Sequence, residues 1–195
     1  MPSGCARIRT NLRCTTTFSF RSLTRGSINT SVTGSVVQIN VSPGGVPKRP
    51  IAEAEVTPEG IRGDSWAHPQ IHGGPIQALL LVTNEGIEEL IAQGYPLFAG
   101  ALGENLTVTG LDRRQMRIGQ RYRVGEILIE LTKIRAPCSQ LDVYGASIKQ
   151  ALYDAQVHAG DVSSPRWGLS GFYARVLGAG VVRPRDIIQL VDQVV

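Results

Sequence analysis

Short runs in which apolar and polar positions alternate, or which are apolar throughout, recur between residues 35 and 194. Alternation is the pattern of a half-exposed strand, and a short apolar run is typical of a buried one. Glycine and proline residues separate these runs, as they do in tight turns. The pattern predicts strands at residues 35–41, 51–56, 76–82, 106–108, 121–124, 127–134, 172–177 and 187–194.

Two segments have the spacing of short helices instead. In the first, apolar residues at helical intervals lie between Asn84, a typical N-cap, and Gly94, a typical helix end. Residues 148–155 carry a second pattern of this kind. Many short strands with only two small helices predict a mainly β fold, a barrel with a few short helices.

Length and charge divide the chain of 195 residues into a tail and one domain. Residues 1–33 contain five arginines, no acidic residue and few aliphatic ones, so we expect a disordered tail at 1–33 before a domain at 34–195. The domain keeps 15 of the 20 Lys and Arg residues against 16 acidic residues, a net charge of −1. This balance argues against a nucleic-acid partner. The chain has no apolar run of about 18 residues that would predict a membrane span.

The tail and the cysteines bear on location. The tail has the Ser-, Thr- and Arg-rich composition of an organellar transit peptide. A translation start placed too far upstream also explains this composition, and we favour that explanation. The cysteines, Cys5, Cys14 and Cys138, are odd in number and lack the spacing of a disulfide scaffold. A reducing, cytoplasmic location is therefore expected.

Cys138 is the most informative residue of the domain. It follows the predicted strand at 127–134, beside the turn residue Pro137 and three positions after Arg135. A thiolate displayed where a strand ends can bind a soft metal or attack an electrophile. A single cysteine can equally be a small buried hydrophobic residue, so its position alone leaves both interpretations open.

Glycine-bearing loops are the second candidate feature. They lie at residues 42–48, where Lys48 adds a cation, at 72–75, where Gly73 and Gly74 follow His72, and at 100–106. Backbone N–H groups of such loops can form an anion-binding nest. None of the loops has the spacing of a nucleotide-binding motif.

The three histidines support weaker hypotheses. His68 and His72 have H-x3-H spacing, but Pro69 makes a helix unsuitable there, and too few ligands remain for a structural zinc site. A nucleophilic pair of Cys138 with His72 or His158 is left open, because the sequence does not place these residues together.

Taken together, the segments resemble the stand-alone bacterial MOSC family, whose domains are like the C-terminal part of molybdenum cofactor sulfurase. The resemblance covers roughly residues 35–195 and depends on pieces in the same order. They are residues 37–48, 60–64, 72–75, 100–106, 118–120, 135–138 and 171–177. The family implies a β-barrel of the pyruvate-kinase barrel type and an association with molybdenum cofactor, an anionic pterin phosphate.

The resemblance also implies roles for individual residues. Cys138 corresponds to the family cysteine, the expected molybdenum ligand or persulfide site, and Arg135 could stabilise its thiolate. Cofactor-binding residues are expected in the matching loops: Lys48, Arg62, His72, Gly73, Gly74, Asn105 and Arg135. Two positions depart from the family. Gln77 stands where many relatives carry arginine, and Arg185 stands where the family usually has glycine.

Three functions follow from the resemblance. The leading hypothesis is a molybdenum-cofactor-binding oxidoreductase that reduces N-oxygenated small molecules and receives electrons from a separate donor protein. The second is a sulfur carrier with a persulfide on Cys138, loaded by a partner desulfurase. The third is a non-catalytic cofactor-binding module. We expect no nucleic-acid or membrane partner, and the sequence leaves a homodimer open.

Overall fold

A computed structural model describes residues 32–65 and 73–192 of the chain. The tail predicted at 1–33 lies outside these residues except for its last two positions, and Thr33 is the first residue of a strand. The strands are β1 Thr33–Val41, β2 Arg49–Ile51, β3 Ala54–Thr57, β4 Gly60–Ile61, β5 Leu79–Thr83, β6 Leu106–Thr109, β7 Arg121–Val124, β8 Ile127–Ile134, β9 Phe172–Gly178, β10 Gly180–Val182 and β11 Ile187–Asp192. The α-helices are α1 Asn84–Ala92, α2 Ile148–Leu152 and α3 Ala155–His158, and 3-10 helices span Pro75–Gln77, Arg113–Gln115 and Ser139–Tyr144.

Seven strands close into a barrel in the order β11, β7, β8, β9, β5, β6, β1, with β1 pairing back to β11. All neighbours are antiparallel except β5 and β6. β1 also extends past its pairing with β6: its first three residues pair with β11, and its last three pair with β2. A separate three-stranded sheet has the order β10, β3, β4. The prediction of a mainly β barrel with a few short helices is confirmed.

β5 is buried on both faces, which explains its unbroken apolar sequence. Leu79 and Leu81 belong to the cluster that fills the barrel, together with residues such as Ile39 and Leu106. Leu80 and Val82 alternate with them and join a second cluster under α1 and α2. A strand covered on both sides has no solvent face, so it shows no alternation.

Several boundaries differ from the sequence-based prediction. The predicted strand at 76–82 begins instead as the 3-10 helix Pro75–Gln77, because Pro75 lacks the N–H that a central strand needs. The predicted strand at 51–56 is divided between β2 and β3. Helix α1 is capped by Thr83, whose hydroxyl accepts from Gly86 N at 3.3 Å, and not by Asn84. The second predicted helix is two helices, α2 and α3.

Arg185 adopts the left-handed conformation, with φ of 76°. Among residues other than glycine, it is the one with positive φ in the described ranges. It lies in the turn before β11, where Asp186 N donates to Arg183 O at 3.1 Å and Arg185 N donates to Val36 O at 2.8 Å. These bonds hold Arg185 in a backbone shape that glycine adopts more easily. Across the described segments, no helix is long and apolar enough to span a bilayer.

We expect Leu81→Ala to lower the free energy of unfolding by about 2–5 kcal/mol, because it leaves a cavity in the filled barrel. Leu81 is fully buried, whereas Leu177 on β9 is 42% exposed. Leu177→Ala is therefore the matched control and should cost less than about 1 kcal/mol. Urea unfolding followed by circular dichroism measures both values. Equal losses for the two variants would show that Leu81 is not part of a closely packed interior.

Candidate functional site

One pocket collects several of the residues that the sequence singled out. Lys48, Asn105, Arg135 and Cys138 line it, together with Tyr173 and other residues. It lies at one end of the barrel, where β1 and β8 finish and β6 and β9 begin. Leu80 and Leu102, from the second apolar cluster, form part of its wall. We call it the Cys138 pocket.

Cys138 is held at the mouth of this pocket by the end of β8. Arg135 N donates to Gly171 O at 3.0 Å, and Ser170 Oγ donates to Arg135 O at 2.6 Å, so the chain is fixed one residue beyond the strand. Pro137 then turns the backbone, and Cys138 precedes the 3-10 helix Ser139–Tyr144. The thiol is free and half-buried. A small ligand or a metal can therefore reach it from the pocket.

Arg135 supplies spare hydrogen-bond donors beside the thiol. Its residue is 4% exposed, and within residues 32–65 and 73–192 its Nε and Nη1 atoms have no hydrogen-bond partner. The guanidinium does form a side-chain hydrogen bond with Tyr173. Burial lowers the pKa of Arg135, and the neighbouring Tyr173 and Cys138 oppose that shift. Buried donors without partners are uncommon and favour a ligand with acceptor oxygens.

Lys48 and Asn105 are, by contrast, already occupied by Asp64. Lys48 Nζ forms a salt bridge with Asp64 Oδ2, and the two side chains are 6% and 3% exposed. Asn105 Nδ2 donates to the same carboxylate at 2.7 Å. Burial lowers the pKa of Lys48, and Asp64 opposes this shift. The pocket therefore gains little free positive charge from Lys48.

Asn105 also ties the barrel strands together at this end. Its Oδ1 accepts from Leu80 N at 3.1 Å, and its Nδ2 donates to Asn40 O at 3.3 Å. These bonds connect β1, β5 and the start of β6. The structure thus gives Asn105 a set of internal partners in addition to its place on the pocket wall.

The other expected site residues lie elsewhere. Arg62 does not line the pocket formed by the described residues; its side chain is 70% exposed and pairs with Glu55 at 2.8 Å. Gly73 and Gly74 have φ values of 100° and 83°, which suits a glycine loop, and they precede Gln77, which does line the pocket. His72 and His68 lie outside the described residues.

Two hypotheses built on histidine can be placed only in part. His158 is at the end of α3, with its ring edge-on to Tyr153, and it does not line the Cys138 pocket. In the portion of the chain that the structure covers, no group of three His, Cys, Asp or Glu residues could hold a metal ion.

Sequence reasoning missed Tyr173, Asp64 and Glu104 as part of this site. Asp64 stands in a segment that was recognised only as a piece of the family pattern, and Glu104 stands in the glycine-bearing loop at 100–106, of which only Asn105 was singled out. Tyr173 looked like an ordinary strand aromatic. Burial raises the pKa of Tyr173, whereas the positive charge of Arg135 acts in the opposite direction. An acidic residue directly after the glycine turn of Gly100 and Gly103 was the one available signal for Glu104.

We expect Asp64→Asn to lower the free energy of unfolding by about 3–5 kcal/mol, because it leaves the Lys48 cation buried without its counter-charge. Glu55→Gln removes the acid of an exposed pair, in which Arg62 and Glu55 are 70% and 54% exposed, and is the control. It should change the same quantity by less than about 1 kcal/mol. Urea unfolding at neutral pH measures both. A small loss for Asp64→Asn would mean that Lys48 finds water or another partner.

Comparison with known proteins agrees with this fold. The model of the MOSC domain family matches residues 68–189. The uncharacterized protein YflK of Bacillus subtilis is 32% identical over 153 residues, which are 76% of this chain and 64% of YflK. The chain thus spans less than two thirds of that relative.

Two further proteins are similar to this chain, one in its three-dimensional structure and one over part of a longer sequence. The crystal structure of YiiM from Geobacillus stearothermophilus superposes with a TM-score of 0.62 and 27% identity, over 82% of this chain and 75% of that one. A protein named reductase from Gibberella moniliformis is 28% identical over 142 residues, 69% of this chain but 23% of that protein. The match of the family model over more than half of the sequence, with this barrel, shows that the chain belongs to the MOSC domain family.

Proposed function

We propose that this MOSC protein binds molybdenum cofactor in the Cys138 pocket and reduces N-oxygenated small molecules there. The observation that carries the proposal is the buried Arg135 guanidinium, which has two donor atoms without partners among the described residues and stands beside the half-buried thiol of Cys138. An anionic group and a soft metal are the two ligands that this pair suits best.

The pocket fits an anionic cofactor through a small set of groups. Arg135 Nε and Nη1 are available to acceptor oxygens of the cofactor. Lys48 and Asn105 would shape the wall, because Asp64 already accepts from both. Gly73 and Gly74 precede Gln77, which lines the pocket, and backbone N–H groups of their loop would bind an anionic oxygen of the cofactor. His72 stays in the proposed binding set, whereas Arg62, which is exposed and paired with Glu55, is left out of it.

Cys138 would contribute one protein ligand to the metal. The described residues contain no group of three His, Cys, Asp or Glu side chains that could hold a metal ion, and the cofactor itself would supply further ligands. When bound, the cofactor would supply two-electron redox chemistry and an acceptor for the substrate oxygen. The protein itself would orient these groups, and the apolar wall of Leu80 and Leu102 would limit the access of water.

The overall reaction fixes what partners are needed. An N-hydroxyl compound takes two electrons and two protons and gives the corresponding N–H compound and water. The chain has no motif for flavin, haem or an iron–sulfur cluster, so a separate electron-donor protein would provide the electrons. The similarity to part of a larger protein named reductase supports an assignment of this kind.

A sulfur-carrier role is the second candidate, and the accessible thiol favours it. Cys138 is free and half-buried, and Arg135 beside it would stabilise a negatively charged persulfide as well as a thiolate. In that case a partner desulfurase would load the sulfur, and no metal would be bound. A cofactor-binding module without turnover is the third candidate, and it would keep the ligand after loss of the thiol.

Molybdenum content separates these candidates. In a host that makes the cofactor, we expect about one molybdenum and one pterin per chain for the wild type. Cys138→Ala should lose the metal, because the one protein ligand is gone. Ser139→Ala, at the exposed neighbouring position, is the control and should keep it. Inductively coupled plasma mass spectrometry and pterin fluorescence measure the two contents.

The remaining outcomes of this experiment decide between the alternatives. Molybdenum retained in Cys138→Ala would contradict the ligand role of the thiol. Absence of metal and pterin from the wild type, with a mass increase of one sulfur atom on Cys138, would favour the sulfur carrier.

Arg135→Gln should lower the affinity for the cofactor at least about tenfold, because it removes charged hydrogen bonds worth about 1.5–3 kcal/mol. Arg62→Gln changes an exposed arginine outside the described pocket and should leave the affinity unchanged. Pterin retained after dialysis, measured at several protein concentrations, compares the variants. An equal loss in both would move the anionic end of the cofactor toward Arg62.

A further inference from the structure

Glu104 is a buried acid that the proposed function does not use. It is 0% exposed, and it lies between the glycine turn at Gly103 and the wall residue Asn105. Its Oε1 accepts from Gly100 N at 2.5 Å and from Thr107 Oγ1 at 2.9 Å. Its Oε2 has no hydrogen-bond partner among the residues that the structure describes. Half of this carboxyl group is thus buried without a donor, which is costly for a charged oxygen.

The titratable groups that interact with Glu104 come from three other segments. Arg135 interacts with it electrostatically from the end of β8, Lys48 from the loop after β1, and Tyr144 from the 3-10 helix Ser139–Tyr144. Lys48 is already neutralised by Asp64. When Glu104 is ionised, the charges of Lys48, Asp64, Arg135 and Glu104 cancel, and Arg135 is the cation left to balance Glu104.

Glu104 and Arg135 form no hydrogen bond with each other through the atoms that lack partners. Glu104 Oε2 has no partner in the described chain, and neither do Nε and Nη1 of Arg135. Arg135 instead reaches the pocket, where it also meets Tyr173 and Cys138. A ligand anion at Arg135 would add negative charge to a buried cluster that is balanced without it.

We propose that Glu104 binds a proton when an anion occupies the Cys138 pocket at Arg135. The inference depends on the part of the proposed function that places an anionic ligand at Arg135. An anion there competes for the positive charge that balances Glu104, and in a buried setting this favours the neutral acid. The neutral carboxyl group can still accept from Gly100 N and Thr107 Oγ1 through Oε1. Burial already raises the pKa of Glu104, which brings protonation closer to the working pH.

Proton binding and anion binding are coupled reciprocally, so the direction in which pH changes the affinity for the anion can be stated. If an anion raises the affinity of Glu104 for a proton, lower pH must raise the affinity for the anion by the same factor. Binding of an anion that does not itself titrate should strengthen as pH falls, until Glu104 is already protonated in the free protein. Lys48, Tyr173, Cys138 and Tyr144 also face this cluster, so the test must separate Glu104 from them.

Calorimetric titration with sulfate tests the proposal, because sulfate does not titrate near neutral pH. The full chain, made in a host without the cofactor, is titrated at one pH in three buffers of different ionisation enthalpy. The slope of heat against that enthalpy gives the protons taken up for each sulfate bound. We expect uptake of up to about one proton for the wild type. Glu104→Gln should bind sulfate without uptake, and Glu59→Gln, at an exposed acid, should behave as the wild type does.

Each other result overturns the proposal in a distinct way. Sulfate binding to the wild type without proton uptake, or uptake that persists in Glu104→Gln, removes Glu104 from this role. A wild type that binds no sulfate removes the anion site at Arg135 as well. If pterin and molybdenum are nevertheless retained in a host that makes the cofactor, the proposed function survives and only the role of Glu104 fails.

A second measurement covers the case in which Glu104→Gln does not fold. Infrared difference spectra of the wild type, with and without sulfate, should show the carbonyl band of a newly protonated carboxyl group. Arg135→Gln should not show this band. A spectrum without the band in the wild type, under conditions where sulfate binds, would overturn the proposal without any variant of Glu104.

Discussion

The carboxylate of Asp64 is the point on which the functional end of the barrel depends. It accepts from Ser42 N at 2.8 Å, from Asn105 Nδ2 at 2.7 Å and from Lys48 Nζ. These donors come from the loop after β1 and from the start of β6, and Asp64 itself follows β4. One buried charge thereby connects the ends of the paired strands β1 and β6 to the segment after β4, which belongs to the separate three-stranded sheet. The wall of the Cys138 pocket includes two of its partners, Lys48 and Asn105.

The same interaction explains why the cations of the sequence are not equivalent. Lys48, Arg62 and Arg135 look alike as candidates for an anionic ligand. The structure gives Lys48 an internal counter-charge, leaves Arg62 in an exposed pair and buries Arg135 with donors to spare. Pairing depends on which segments fold against each other, and a sequence pattern does not contain that information. Arg135 is informative because, among the described residues, its neighbours leave two of its donor atoms to a ligand.

The sequence predicted local features well where one face of an element was clear. The alternation at 127–134 matches β8, and the run at 121–124 matches β7, because both strands have one face in the barrel and one outside it. It was less successful around Pro75 and between residues 51 and 57, where a 3-10 helix and a change of sheet interrupt the pattern. Cys138 could be found from its turn, whereas Tyr173 could not, because only strand pairing brings β9 beside the end of β8.

β5 has a wider consequence than the position of its own side chains. It contributes Leu79 and Leu81 to the interior of the barrel, and Leu80 and Val82 to the cluster under the helices. Two apolar clusters that share a strand cannot melt one after the other, since separation of either one exposes a face of the same segment. The barrel and its helical cover should therefore open as one cooperative unit. Leu80 stands in the pocket wall, so that wall should lose its shape only when the whole domain unfolds.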